Sequence, residues 1–149
     1  PDLDIVMAPV GGGGLASGTA IAAHGMSTAI RVVAAEPEQA DDAFRSLKAG
    51  KILPSVNPRT IADGLRTALG ELTFAVISRE VEQIVTVSEE SIVEAMKLIW
   101  ERAKIVVEPS GAVPVAALID GKFAAHGARV GVIISGGNVD LDRLPWINR

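Results

Sequence analysis

Leu3-Asp4-Ile5-Val6-Met7-Ala8-Pro9-Val10-Gly11-Gly12-Gly13-Gly14-Leu15-Ala16-Ser17-Gly18-Thr19-Ala20-Ile21-Ala22-Ala23-His24 decides the fold. The apolar run over 3–10 stops dead at four glycines, the pattern of a short strand buried on both faces and closed by a turn. Leu15 to His24 places small residues where a helix presses on a sheet, and Gly25 is the expected terminator. Ile30-Arg31-Val32-Val33-Ala34-Ala35 then reads as a second strand. Strand, glycine turn, helix and strand within about 35 residues make a βαβ unit.

The rest of the chain repeats the alternation. Gln39 to Ala49 predicts a helix ending at Gly50, and Lys51 to Arg59, with Pro54 and Pro58, predicts irregular chain. Ile61-Ala62-Asp63-Gly64 is a turn signal. A helix over Leu72 to Val81 and a strand over Gln83 to Val87 follow. Ser88 suits an N-cap, with Glu89 and Glu90 in the first turn facing the positive helix end. That helix carries Ile92, Ala95, Met96, Ile99 and Ala103 at helical spacing, and Ser110 is the expected cap of the next, which runs to Gly121. Arg129 to Ile134 reads as another buried strand, feeding a second glycine turn, Ser135-Gly136-Gly137-Asn138. No repeat or linker divides the chain, so the expectation is one α/β domain over residues 1–149. Its layers are three: a mostly parallel sheet with helices on both faces. A core strand this near the start predicts further chain upstream.

Composition removes several classes of function. The 149 residues are 48% apolar and only 3% aromatic, with no tyrosine, so the core is aliphatic and base-stacking modules are disfavoured. Fourteen basic against 18 acidic residues give a net charge of −4, with no cationic stripe for nucleic acid. Without cysteine there is no disulfide framework, thiolate metal site or thiol nucleophile. No 18-residue apolar run or signal-peptide layout occurs, and the expectation is a cytoplasmic chain with no membrane partner. His24 and His126 sit beside Gly25 and Gly127, positions that suit capping or solvent exposure rather than catalysis.

Both glycine turns fall at carboxyl ends of strands, where open α/β sheets bind ligands. Four adjacent glycines remove every Cβ from the first loop and let backbone N–H groups converge on one anion, reinforced by the following helix N-terminus. Phosphate is the natural guest. Gly11, Gly13 and Ala16 also satisfy a loose dinucleotide pattern, and Glu36, 20 residues beyond Ala16, stands where a ribose-binding acid belongs. Half of an NAD-dependent oxidoreductase and a non-enzymatic phosphate-ligand module therefore stay open at this level. Pro37 and the acidic continuation Glu38, Asp41 and Asp42 weigh against the dinucleotide.

Taken together, Pro9-Val10-Gly11-Gly12-Gly13-Gly14-Leu15, Ala34-Ala35-Glu36-Pro37, Ala40-Asp41-Asp42, Thr60-Ile61-Ala62-Asp63-Gly64, Trp100-Glu101-Arg102, Val107-Glu108-Pro109-Ser110-Gly111-Ala112 and Ser135-Gly136-Gly137-Asn138-Val139-Asp140 follow one family's order over nearly the whole chain. The chain resembles the C-terminal half of serine/threonine dehydratases and serine racemases, fold type II pyridoxal 5'-phosphate (PLP) enzymes. The resemblance implies that the amides of Gly11, Gly12, Gly13, Gly14 and Leu15 hold the cofactor phosphate, and that the Ser135 hydroxyl faces the pyridine nitrogen. It implies a divalent cation, magnesium or else calcium or manganese, on Glu36, the Ala40 carbonyl and Asp42, a hard-oxygen set. Asn138 and Lys104 match positions used for nucleotide activation in some racemases. The implied substrates are small amino acids, serine or threonine, dehydrated to 2-oxo acid and ammonia or racemised, and the implied assembly is a homodimer.

The family's chemistry also needs a lysine that forms the Schiff base, in a Ser-Phe-Lys context. Lys48, Lys51, Lys97, Lys104 and Lys122 all lie in other contexts. The expectation is a chain that carries the phosphate cup and metal cluster but no catalytic residue, and that does not catalyse alone.

Overall fold

The computed structural model describes residues 2–147. Four strands, β1 (Ile5–Pro9), β2 (Arg31–Pro37), β3 (Gln83–Val87) and β4 (Val130–Val132), lie in the order β3-β2-β1-β4, and every pairing is parallel. Helices α1 (Gly14–Met26), α2 (Asp42–Ala49), α3 (Glu71–Glu80), α4 (Glu89–Leu98) and α5 (Pro109–Ile119) cover both faces. The period-2 alternation of strand side chains sorts the core into two halves. Ile5, Met7, Val33, Ala35, Val85 and Val87 pack with Ile92, Met96, Val113 and Ala116 of α4 and α5. Val6, Val32, Ala34 and Ile84 pack with Ala16, Ala20 and Ala23 of α1 and Ile77 of α3. This is the three-layer arrangement expected. Among the described residues no helix is long and apolar enough to cross a membrane.

Several boundaries differ from the sequence reading, each for a local reason. Gly25 lies inside α1, which continues to Met26 and ends on Ser27, whose amide donates to the Ala23 carbonyl. Residues 38–40 form a separate 3-10 turn before α2 begins, because the Ala43 and Phe44 amides donate to the Glu36 carboxylate. Ser110 does not cap α5. Glu108 is the N-cap and Pro109 takes the first helical position, where its missing N–H costs nothing. The last strand is three residues long, half-buried, and at the sheet edge rather than in its centre. Ser88 does cap α4, its hydroxyl accepting from the Ser91 amide. The α4 helix passes into a wide turn of π type over Ile99–Ala103.

His24 neither caps nor faces open solvent. Its Nδ1 lies 2.7 Å from Glu80 and its Nε2 3.0 Å from the Ile30 carbonyl, tying α1 to α3 and to the start of β2. His126 is exposed.

The loop from Gly11 to Gly13 is anchored from below. Gly13 has φ +85°, and a Cβ there would fall within 2.7 Å of Leu69, 2.8 Å of Thr73 and 2.9 Å of Ile77. Thr73 Oγ1 donates to the Gly12 carbonyl at 2.8 Å, so α3 grips the loop directly. Gly13→Ala combines left-handed strain with overpacking and is expected to cost about 2–4 kcal/mol. At Gly14, a Cβ meets nothing within 4 Å, and Gly14→Ala should stay within about 0.5 kcal/mol of the parent. Urea unfolding of the two variants measures the difference, and equal midpoints would contradict this packing account.

Candidate functional site

The first glycine turn leaves β1 at the carboxyl edge of the sheet and enters α1. Val10 donates its amide to the Ala35 carbonyl, and the next backbone bond is Ser17 to Gly13. Among the described residues, the amides from Gly11 to Ala16 donate to no protein acceptor. An unpaired run of this length is six donors at the positive end of a 13-residue helix. The left-handed Gly13 between right-handed neighbours curls the run into a concave nest.

Above the nest lies a cavity of about 310 Å³, lined by Pro9, Gly11, Gly12, Gly13, Gly14, Leu15, Gly64, Leu65, Glu108, Ser110 and Ser135. A Cβ on Gly11 would come within 3.0 Å of Leu65 Cα and Thr67 Oγ1, so the 64–67 segment seals one side. Gly12 and Gly14 are not crowded by protein: the nearest atom to a Cβ on Gly12 is 3.5 Å away. Packing therefore demands glycine at Gly11 and Gly13 and leaves Gly12 and Gly14 uncrowded. The lining contains no lysine or arginine, and its one charged side chain is Glu108, whose carboxylate accepts from the Asn138 amide, so the groups that favour an anion there are amide hydrogens, hydroxyls and the helix dipole.

All six residues expected at the cofactor phosphate and ring, Gly11 to Leu15 and Ser135, thus border one cavity. Sequence reasoning missed Ser110 as a lining residue and undervalued Glu108 and Gly64. Ser110 is 3% exposed, and its hydroxyl accepts from the Gly64 amide at 3.1 Å. Glu108 clamps the second glycine turn: its amide donates to the Gly136 carbonyl at 3.0 Å, and its carboxylate accepts from the Asn138 amide at 2.9 Å. The signal was the spacing of Glu108 and Ser110 around Pro109, which puts both at the head of α5.

Glu36, Ala40 and Asp42 form a second group, apart from that lining, and all three are buried. Glu36 Oε2 accepts from the Ala43 amide at 3.3 Å and Oε1 from the Phe44 amide at 2.5 Å, so the acid is turned onto α2. Glu36 is 1% exposed and does not border the glycine-loop cavity, which weighs against a ribose contact there. Asp42 Oδ2 is buried with no hydrogen-bond partner. Among the described residues no three His, Cys, Asp or Glu side chains converge on a metal position.

The family model for pyridoxal-phosphate dependent enzymes matches residues 1–136. The chain belongs to that family. It is 54% identical over 144 residues to the beta-hydroxyaspartate dehydratase of Paracoccus denitrificans, covering 97% of this chain and 46% of that relative. The structure of maize serine racemase superposes with a TM-score of 0.90 at 44% identity, covering 95% of this chain and 45% of that one. The serine racemase of Dictyostelium discoideum gives 0.85 at 50% identity, with 93% and 45% covered. The chain thus spans about half the length of the relatives it matches.

Burial pushes the Glu36 carboxyl up to about 8, with Asp42 and Asp41 adding to the rise and the Phe44 and Ala43 amides opposing it. Burial raises Asp42 as well. Between its ordinary value of 4.5 and about 8, folded protein keeps a proton on Glu36 that the unfolded chain has released. Stability should therefore fall as pH rises through that window in chelator-treated protein. Urea titrations from about pH 5 to about pH 9 test this: Glu36→Gln should flatten the decline, and an equally steep decline in that variant would assign it elsewhere.

Proposed function

We propose that this chain forms the phosphate-holding part of a PLP-dependent enzyme that dehydrates small 3-hydroxy amino acids to 2-oxo acid and ammonia, or of the closely related serine racemase. The observation that carries the reading is the run of unpaired amides from Gly11 to Ala16, of which Gly11 to Leu15 border a cavity that Ser135 also borders. When bound, the cofactor supplies an electron-withdrawing ring that acidifies the substrate's α-carbon.

The residues of this chain divide the remaining work. Amides of Gly11, Gly12, Gly13, Gly14 and Leu15 bind the phosphate without a cationic side chain, so charge is met by fixed dipoles that need no reorganisation. Ser135, which borders the cavity, would offer a neutral hydroxyl to the ring nitrogen of a bound cofactor, where a carboxylate would hold a proton. A neutral partner of this kind would leave the bound ring a weaker electron sink than a carboxylate partner would. Gly64 and Leu65 close the side of the cup against water, and Ser110 fixes Gly64 through its amide. Among the described residues no lysine borders the cavity, so none of this chain's lysines is given the role of the reacting amine.

Glu36, the Ala40 carbonyl and Asp42 suit a hard divalent cation, magnesium or else calcium or manganese. Two buried carboxyls and an orphaned Asp42 Oδ2 are what such an ion would neutralise. Its effect would be to hold β2, the 3-10 turn and α2 together, at a distance from the cofactor.

Gly14→Asp places a carboxylate at the mouth of the cup, where no protein atom obstructs it. In the full-length protein it should weaken PLP binding by at least about tenfold, followed by cofactor absorbance, while the urea midpoint stays unchanged. Saturable NAD binding, with PLP uptake unaffected by Gly14→Asp, would refute the proposal. Magnesium should raise the unfolding temperature of the parent and leave that of Asp42→Asn unmoved; an equal rise in both would remove the cation from this position.

A further inference from the structure

The second glycine turn, Ser135-Gly136-Gly137-Asn138, follows β4 at the carboxyl edge of the sheet, and Ser135 borders the cup. The last bond tying it to the sheet runs from the Ile133 amide to the Met7 carbonyl. Beyond that point the backbone of 134–138 makes two hydrogen bonds among the described residues, and both end on Glu108. The Glu108 amide donates to the Gly136 carbonyl at 3.0 Å, and the Asn138 amide donates to Glu108 Oε2 at 2.9 Å. One residue thus holds the turn twice, once with its main chain and once with its side chain.

Close contact reinforces the bonds. A Cβ on Gly136 would lie 2.6 Å from Glu108 Oε1 and 2.9 Å from its Cδ, so the carboxyl group is seated against that glycine. A Cβ on Gly137 would fall 2.5 Å from the Val106 carbonyl oxygen. Both glycines of the turn therefore rest on the segment 106–108. That segment is itself fixed. Val107 is fully buried, and Trp100 Nε1 donates to its carbonyl at 2.9 Å. Pro109 restricts Glu108 to extended backbone, with φ −79° and ψ 163°. Ser135 adjoins Gly136, and consecutive Cα atoms stand ~3.8 Å apart, so the place where Glu108 holds Gly136 sets where Ser135 stands on the cavity wall.

We propose that Glu108 is the positioning residue for Ser135, holding its hydroxyl where the ring nitrogen of a bound cofactor would meet it. The inference rests on the cofactor reading above and names the group that fixes one of its contacts. A hydrogen bond weakens steeply once donor and acceptor are misaligned. A turn released from Glu108 would therefore lose the contact while keeping the hydroxyl. Glu108 acts here as an acceptor for the Asn138 amide rather than as a charge or a proton carrier. Glutamine, whose amide oxygen also accepts, should replace it; alanine should not.

The test uses the full-length protein loaded with PLP that is isotope-labelled at the ring nitrogen. It reads the chemical shift of that nitrogen together with solvent exchange of the Asn138 amide. Ser135→Ala marks the shift of a ring without its hydroxyl partner. Glu108→Ala should move the signal most of the way to that mark and speed Asn138 exchange by at least about tenfold, while Glu108→Gln keeps the parent's signal. Gly136→Ala retains Glu108 but drives a methyl group into its carboxyl; it should displace the signal as Glu108→Ala does, and it decides the matter should Glu108→Ala fail to fold. On a Ser135→Ala background, Glu108→Ala should add no further shift. A parent-like signal in folded Glu108→Ala or Gly136→Ala, or a Glu108→Gln signal displaced as far as that of Glu108→Ala, would overturn the positioning role and leave the cofactor reading intact. A signal unmoved by Ser135→Ala would take Ser135 away from the ring, and parent protein that takes up no PLP would overturn the cofactor reading; the inference falls with either.

Discussion

The structure turns on a row of backbone amides that no protein carbonyl claims. From Gly11 to Ala16 the chain has left the sheet ladder and has not yet entered the helix ladder. Unpaired donors are tolerable only where solvent or a ligand can reach them. The rest of the domain keeps them so. Parallel pairing of β1 with β2 and β4 brings the loop to the sheet's carboxyl edge. Thr73 and Ile77 of α3 hold its underside, and the 64–67 segment closes one flank.

From that constraint follows a division between the four glycines. Gly11 and Gly13 answer to the protein, one through close approach of the 64–67 segment and the other through its left-handed backbone and the side chains beneath it. A Cβ on Gly12 or Gly14 would meet no protein atom closer than 3.5 Å. A turn built only for packing would need the first pair. The second pair has no packing reason among the described residues, and a bound phosphate is the reason we propose for it.

Much of this was legible in the sequence because its signals are local. The βαβ unit around the glycine run, β3 over Gln83 to Val87 and the Ser88 cap each depend on residues within one or two turns of chain, and each is present. What stayed hidden was set by distant partners. Glu36 stands where a ribose acid would, and only the fold shows its carboxylate turned onto the α2 amides seven and eight residues on. Ser110 looked like a cap, yet Pro109 moved the helix start back to Glu108 and sent the serine into the cavity wall. The hydrophobicity of residues 129–134 matched a buried strand, while its place in the strand order put it at an edge.

The central claim concerns one chemical group, the phosphate, and its contacts with one stretch of backbone. Amide chemical shifts of the full-length protein, followed during titration with pyridoxal phosphate and separately with pyridoxal, address it directly. The largest changes should fall on the amides of Gly11 to Leu15 with the phosphate ester and be absent from them with pyridoxal. Amides that stay still under the phosphate ester, or that respond equally to both compounds, would contradict it.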